Sequence, residues 1–308
     1  MQLSLQTFDA QVIWIWTGIA QRIGQRIGLH HDGAKLRLPP FEVEIRRRLW
    51  WQIMMLEGYT QKLAGTGYVQ LPSNINDSDL FPGMLSPPTP HTGATEMMFF
   101  RIRCHVADFL KRFTNGNTTF DGLWNKLTTV AASPESKDQA INDLESLFDR
   151  EYLQFCDLSI PWHAMCFQLG KAIVSMMRFL AHSPGYYTSP MPASRTTTLF
   201  HLALHVLSSQ NKAYEIPALR GFKWHVDLQF QWKAFIFIVS ELRVRTRGAD
   251  VEQAWKEVEL AYRWHPSFRK ELVKRALPVA VGKLTLKAWE EYVKAGGGAA
   301  GEPGFVGL

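Results

Sequence analysis

A chain of 308 residues with 46% apolar and 12% aromatic residues has an ordinary globular composition, enough for one large domain or two closely packed ones. The formal charge of +6, from 34 Lys+Arg against 28 Asp+Glu, is spread along the whole length, so no concentrated basic tail for a polyanion is present and charge alone is a weak clue to partners. The three cysteines, Cys104, Cys156 and Cys166, are odd in number, which excludes a secreted disulfide framework and points to buried thiols in a reducing compartment.

The start MQLSLQTFDAQVIWIW shows no basic n-region or small-residue cleavage site. The longest apolar runs, such as Phe235–Val239, fall far short of a membrane span, so a soluble intracellular protein with no membrane partner is expected. Apolar residues recur at helical spacing almost throughout, which predicts an all-α, multi-helix domain with long proline-rich loops. From Asp9 to Ile27 the set Ile13, Trp16, Ala20, Ile23 and Ile27 steps by three and four and ends at Gly28, a suitable C-terminal cap.

A second helix starts just after Pro39-Pro40, within PFEVEIRRRLWWQI. Its spacing puts Phe41, Ile45, Leu49, Ile53 and Leu56 on one core face, widened by Trp50 and Met54. Glu42 stands four residues before Arg46, and Glu44 four before Arg48, the favoured order for helical ion pairs. The arginines therefore read as an outer face answered locally by carboxylates, rather than as a nucleic-acid grip, which needs open cations and exposed aromatics. The segments 71–79 and 86–90 are predicted to be extended, exposed loops. A third helix follows over Thr95–Phe113, with Phe99, Ile102, Val106, Phe109 and Phe113 on one face. Ser133-Pro134-Glu135 opens a fourth that runs to about Leu153, and further helices are expected near 160–182, 195–212, 226–246, 251–262 and 268–293. The Gly-rich end, residues 294–308, should stay flexible.

The run WIWTGIAQRIGQRIGLHHDG followed by PPFEVEIRRRLWWQIMMLEG resembles the middle homology region of fungal zinc-cluster transcription factors, the fungal-specific transcription factor domain. The likeness continues through LPSNINDSDL, TEMMFFRIR, EYLQFCD, LQFQWKAFIFIVSELRVR and RALPVAVGKLTLKAWEEY, and so covers nearly all of residues 10–293. Its signature positions are Gly28, His30, Asp32, Phe41, Glu44, Arg46, Arg47, Arg48, Leu49, Trp50, Trp51, Asn76, Asp77 and Asp79. His31 departs from the pattern, since family members often have arginine there.

The resemblance implies one regulatory domain over residues 1–293, shortened at its N-terminal side, in a nuclear regulator of transcription. It implies regulatory proteins or a family dimer partner, DNA contact only indirectly, and a small-molecule effector as a further partner. Such regulators often govern metabolic gene clusters. Zinc would come only with the family's six-cysteine N-terminal module, which three scattered cysteines cannot build, so no cofactor is expected in this chain.

No catalytic or metal-binding set emerges beside it. His30, His31 and Asp32 are consecutive, which suits a loop or capping role better than convergence on one ion. Asn76, Asp77, Ser78 and Asp79 could hold magnesium in an all-α enzyme acting on diphosphates, but they lack a second aspartate-rich face, and Asx turns account for them better. Gly65-Thr66-Gly67 and the series Gly18, Gly24, Gly28 do not have nucleotide-loop spacing. Arg269–Arg275 reads as a solvated helical face with a targeting signal as the rival reading. A cytoplasmic interaction or ligand-sensing module is the alternative to a transcription regulator.

Overall fold

The computed structural model describes residues 10–59, 69–112, 127, 133–183, 192–227, 230–266, 268, 276–297 and 304–305. Those residues form ten α-helices and three short 3-10 turns, with no strand among them, as the helical periodicity predicts. They divide into two compact units, Met1–Lys171 and Ala172–Leu308.

In the first unit, α1 (Ala10–Arg26) and α2 (Pro40–Tyr59) pack directly, and α2 packs in turn on α3 (Met98–Arg112). Gly24 faces Trp50 and Ile53 of α2, while the carbonyl of Ile27, just past α1, meets Arg46, so the two helices run antiparallel. Their core gathers Leu29, Trp50, Trp51, Ile53, Met54 and Met55 with Cys104 and Ala107 of α3. The helix α4 (Pro134–Glu151) begins as its sequence dictates: the Oγ of Ser133 accepts from the Ser136 amide at 3.2 Å, and Pro134 takes the first helical position. The helix α5 (Pro161–His182) starts in this unit and continues into the second. One 18-residue window of α5 has a mean hydropathy of 1.2, apolar enough for a bilayer where no such segment was expected, yet 56% of that window is buried, as in a core helix.

The second unit is built on α6 (Ala193–Glu215), which packs on α7 (Lys223–Asp227), α8 (Trp232–Leu242) and α9 (Ala249–Trp264). A last helix, α10 (Ala276–Lys294), lies against α8. The helix expected over 226–246 is thus two, α7 and α8, and the one expected from 268 is described only from Ala276. Residues 269–275, including the basic run, and the glycines at 65–67 lie outside the described residues. Within the stretch expected to stay flexible, Phe305 is fully buried, with its ring 5.3 Å from that of Tyr262 and stacked at 5.9 Å on Trp255.

The loop at 69–80 also departs from its reading as an exposed connection. Ile75 is fully buried, Pro72 and Asn74 are buried, and Asp77–Asp79 form a 3-10 turn. The segment 86–90 is largely exposed, as expected. Gly93 shows how tightly the first loop is held: its φ is +95°, its carbonyl accepts from Asn74 Nδ2 at 2.9 Å, and a Cβ there would meet the Phe155 ring at 2.8 Å. Gly83 shares the left-handed backbone, at φ +84°, but a Cβ would meet nothing within 4 Å. Gly83→Ala should therefore cost about 1 kcal/mol through the backbone alone. Gly93→Ala should cost about 2–4 kcal/mol, since overpacking adds to the same backbone penalty. Urea unfolding followed by circular dichroism checks the order, and equal midpoints would show that Phe155 yields freely.

Candidate functional site

Six of the positions singled out in the sequence, Asp32, Glu44, Arg47, Arg48, Trp51 and Asp77, are joined through hydrogen bonds in the first unit. After α1 the chain reverses at Gly28, whose φ of +75° is one that glycine adopts without a Cβ penalty, and the amide of Leu29 donates back to the Gly24 carbonyl at 2.8 Å. The turn that follows brings Asp32 inward, where it is 2% exposed. Gly33 fits because its missing Cβ leaves room for Val43, whose Cα would lie at 3.2 Å.

Asp32 fills both of its carboxylate oxygens. Oδ1 accepts from the Ala34 amide at 3.0 Å and from Arg47 Nη2 at 2.9 Å. Oδ2 accepts from Arg47 Nε at 2.9 Å and from the Gln70 amide at 3.0 Å. This is a bidentate guanidinium–carboxylate pair joined by two backbone donors, and it ties the turn after α1, the middle of α2 and the 69–80 segment together. Burial alone would raise the carboxyl pKa, but the bonds from Arg47, Gln70 and Ala34 outweigh it and hold Asp32 below the ordinary carboxylate range.

The three consecutive arginines face different segments instead of forming an outer face. Arg46 Nη2 donates to the Ile27 carbonyl at 2.8 Å, closing the end of α1. Arg47 holds Asp32 and also donates to Gln70 Oε1 at 2.8 Å. Arg48 pairs with Glu44 at 3.2 Å, as the spacing predicts, and reaches Asp77 at 2.7 Å. Glu44 is buried and also accepts from the Ser73 amide at 3.1 Å. The expected Glu42–Arg46 pair does not form: Glu42 is exposed and Arg46 is turned to the α1 terminus.

The buried face of α2 is accordingly rotated from the predicted one. Trp50, Trp51, Ile53, Met54 and Leu56 are buried, Phe41 is half-buried, and Ile45 and Leu49 are exposed. Trp51 seals the arrangement by donating Nε1 to the Gln70 carbonyl at 2.9 Å. His30 sits half-buried against Trp50, with ring centroids 6.1 Å apart, and does not join Asp32 in a ligand set among the described residues.

The acidic turn is similarly accounted for by internal bonds. The Asn76 amide donates to Asp79 Oδ2 at 2.8 Å, and that oxygen also meets His91 Nε2 at 2.7 Å. The bond from the Asn76 amide, aided by His91, holds the Asp79 carboxyl below its usual value. Asp77 receives Arg48, and its own amide donates to Glu96 Oε2 at 2.6 Å. These are turn and capping roles, as the Asx reading expects.

Beside this hub lies a cavity of about 520 Å³, bounded by Arg47 and Trp51 of α2, by residues of the 69–74 segment, and by Arg101, Asp108 and Tyr152. Arg101 donates Nη1 to the Pro72 carbonyl and Nε to the Tyr152 hydroxyl, the latter at 2.8 Å. Burial pushes the Tyr152 hydroxyl up, so it stays protonated at neutral pH, and its oxygen also meets His105 Nε2 at 3.0 Å. His91 and Glu151 complete the charged part of its lining. Sequence reasoning missed Gln70, Arg101 and Tyr152, because their roles come from contacts 19 to 51 residues apart and no local spacing marks them.

The chain is similar to curated fungal transcription factors over nearly its whole length. It is 31% identical over 297 residues to the aurofusarin cluster transcription factor aurR2 of Gibberella zeae, covering 92% of this chain and 43% of that protein. It is 29% identical over 310 residues to the pyriculol/pyriculariol biosynthesis cluster transcription factor 1 of Pyricularia oryzae, covering 94% of this chain and 41% of that protein. A C6 finger domain transcription factor, nscR of Aspergillus fumigatus, is 25% identical over 278 residues, covering 82% of this chain and 34% of itself. The chain thus spans less than half the length of the relatives it matches. No family model and no solved structure matches it.

Because Arg47 is only 13% exposed, Asp32→Asn leaves a largely buried cation without its counter-ion and should cost about 3 kcal/mol at neutral pH. The pH dependence has a fixed sign. A carboxyl depressed in the folded state contributes stability above its unfolded pKa of about 4 and loses it as pH falls through the lower folded value. Urea midpoints at pH 7 and pH 3 should therefore converge between wild type and variant at the acid end. A constant gap across that range would show that the charge on Asp32 is not what stabilises the hub.

Proposed function

We propose that this chain is the helical regulatory region of a fungal zinc-cluster transcription factor, acting in the nucleus on a biosynthetic gene cluster. One observation carries the reading: more than nine-tenths of the chain aligns with regulators named for such clusters. The geometry agrees in kind, because the residues most suggestive of DNA contact are spent internally. Arg46, Arg47 and Arg48 each hold a carbonyl or a carboxylate of the same unit, and Trp50 and Trp51 are buried, so this helix offers neither open cations nor stacking surfaces. Sequence-specific DNA contact in this reading belongs to a zinc module that this chain's cysteines do not fit: Cys104 and Cys166 are buried, and only three thiols exist where two zinc ions need six. The relatives are regulators rather than enzymes, and Asp77 and Asp79 are engaged by Arg48 and His91.

A second reading, effector sensing, is favoured by the cavity beside Arg47 and Arg101. Arg47, Arg101 and His91 line it together with Asp108 and Glu151, a mixed-charge lining that suits a small polar molecule, and Trp51 and Tyr152 supply aromatic walls for its body. Binding there would tie the 69–74 segment to α3 and bias the regulator's activity.

The chain alone should give no sequence-specific mobility shift that survives moderate salt. Fused to an unrelated DNA-binding domain, it should change expression of a reporter carrying that domain's site, and the tagged chain should enter nuclei. A salt-resistant specific shift would reassign DNA contact to this region. Exclusion from nuclei together with an unchanged reporter would favour an interaction module outside gene control.

A further inference from the structure

In the second unit, aromatic side chains of α9 and α10 build a box around one ring. Trp255 and Tyr262 stand two turns apart on one face of α9, and Trp289 and Tyr292 one turn apart on α10. Trp255 and Trp289 meet edge to face with centroids 4.9 Å apart, and Tyr292 lies 5.6 Å from Trp255. The enclosed ring is that of Phe305, which is fully buried. It stacks on Trp255 at 5.9 Å, lies 5.3 Å from Tyr262 and meets Trp289 edge on at 5.8 Å.

The walls have supports of their own. The Tyr262 hydroxyl bonds to Thr285 Oγ1 of α10 at 3.0 Å, and Thr285 in turn donates to the Val281 carbonyl at 2.9 Å, which pins α9 to α10 beside the box. Phe305 is held differently, because the sequence between Lys294 and Phe305 holds five glycines. Gly297, at the start of this link, crosses the Tyr292 ring so closely that a Cβ would run into it. Glycine loses more backbone freedom on ordering than any other residue, and here the burial of a single ring stands against that loss. The occupant of the box is therefore its most exchangeable part.

One polar atom of the box is also left unmet. Trp255 is 5% exposed, and its buried indole N–H has no hydrogen-bond partner among the described residues. A buried donor without an acceptor is destabilising, and a phenyl ring carries no oxygen or nitrogen to offer it. A flat aromatic ring bearing an acceptor would fill the same space and satisfy the indole as well.

We infer that the box of Trp255, Tyr262, Trp289 and Tyr292 is a binding site for a small aromatic molecule bearing a carbonyl group, and that Phe305 is the tethered plug which that molecule displaces. The ligand's ring takes the place of the phenyl ring, its carbonyl accepts from Trp255 Nε1, and the segment around Phe305 is released.

The test uses the full 308-residue chain labelled with nitrogen-15 at the tryptophan indoles, and two probes of one shape. Acetophenone carries a carbonyl and ethylbenzene does not. Acetophenone should move one indole N–H signal downfield, the signal that Trp255→Phe removes, and ethylbenzene should not. Phe305→Ala, with its fold checked by circular dichroism, should bind acetophenone about tenfold more tightly than wild type, because no plug has to leave first. The peptide GEPGFVGL, residues 301–308, should compete with acetophenone for this variant. Trp264→Phe, which removes another buried indole N–H without a partner, should leave the affinity unchanged. Saturating acetophenone should shift the Trp255 signal in wild type too, a readout that does not depend on the variant's folding. No downfield shift in either chain overturns the proposal. Equal affinity in wild type and Phe305→Ala also overturns it, by placing the probe outside the box. These readouts report binding in the second unit and not gene control, so failure here leaves the proposed function standing.

Discussion

The carboxylate of Asp32 is the point on which the first unit turns, because it accepts four hydrogen bonds from three separated stretches of chain while almost fully removed from water. Such a group is expensive to bury, and a pair of this kind is no guarantee of net stability against an apolar replacement. What it does supply is direction. Each oxygen has two donors, so the turn after α1, the guanidinium of Arg47 and the start of the 69–80 segment are fixed in one mutual arrangement. Glu44 repeats the device one turn earlier on α2, joining Arg48 and the Ser73 amide. Together the two carboxylates lay the start of the 69–80 segment along α2, which explains why Pro72, Asn74 and Ile75 are buried in a stretch with no α-helix of its own.

That arrangement also sets the rotation of α2, and here the sequence misleads for a physical reason. Amphipathic reading assumes that charged residues face water and apolar ones the core. In α2 two of the charged side chains, Glu44 and Arg47, face inward because each finds a full set of partners from distant segments, and two apolar ones, Ile45 and Leu49, face out. Local spacing therefore locates the helix and its Glu44–Arg48 pair, while the phase depends on Asp32 and Ser73, residues 15 and 29 positions from their partners. The same limit applies to α1, where helix, glycine cap and apolar stripe are legible but the stripe points outward.

Elsewhere legibility follows how local the cause is. Ser133 as a cap, Gly28 as a stop and the apolar side of α3 need only neighbouring residues, and the cap, the stop and the burial of Ile102, Val106 and Phe109 are present as read, with Phe99 half-buried and Phe113 outside the described residues. The break between α7 and α8 and the burial of Phe305 depend on tertiary packing, with Phe235, Tyr262 and Phe268 filling one aromatic core and Trp255 and Trp289 receiving Phe305. Glycine content forecasts freedom for a chain with nothing to bury, and one phenylalanine with a waiting pocket changes the balance.

The positive charge of the chain is best understood through the same few turns. A basic helix with tryptophans resembles a polyanion surface only while its partners are unknown. Once Arg46 caps α1, Arg47 is bound by Asp32 and Arg48 spans Glu44 and Asp77, little of that charge is available outside. What α2 offers instead is two faces about 200° apart. One carries Arg47 and Trp51 toward the cavity, and the other carries Ile45 and Leu49 beside the α1 stripe. The bonds that fix this helical turn are those of Arg46 to the end of α1 and of Arg47 to Asp32.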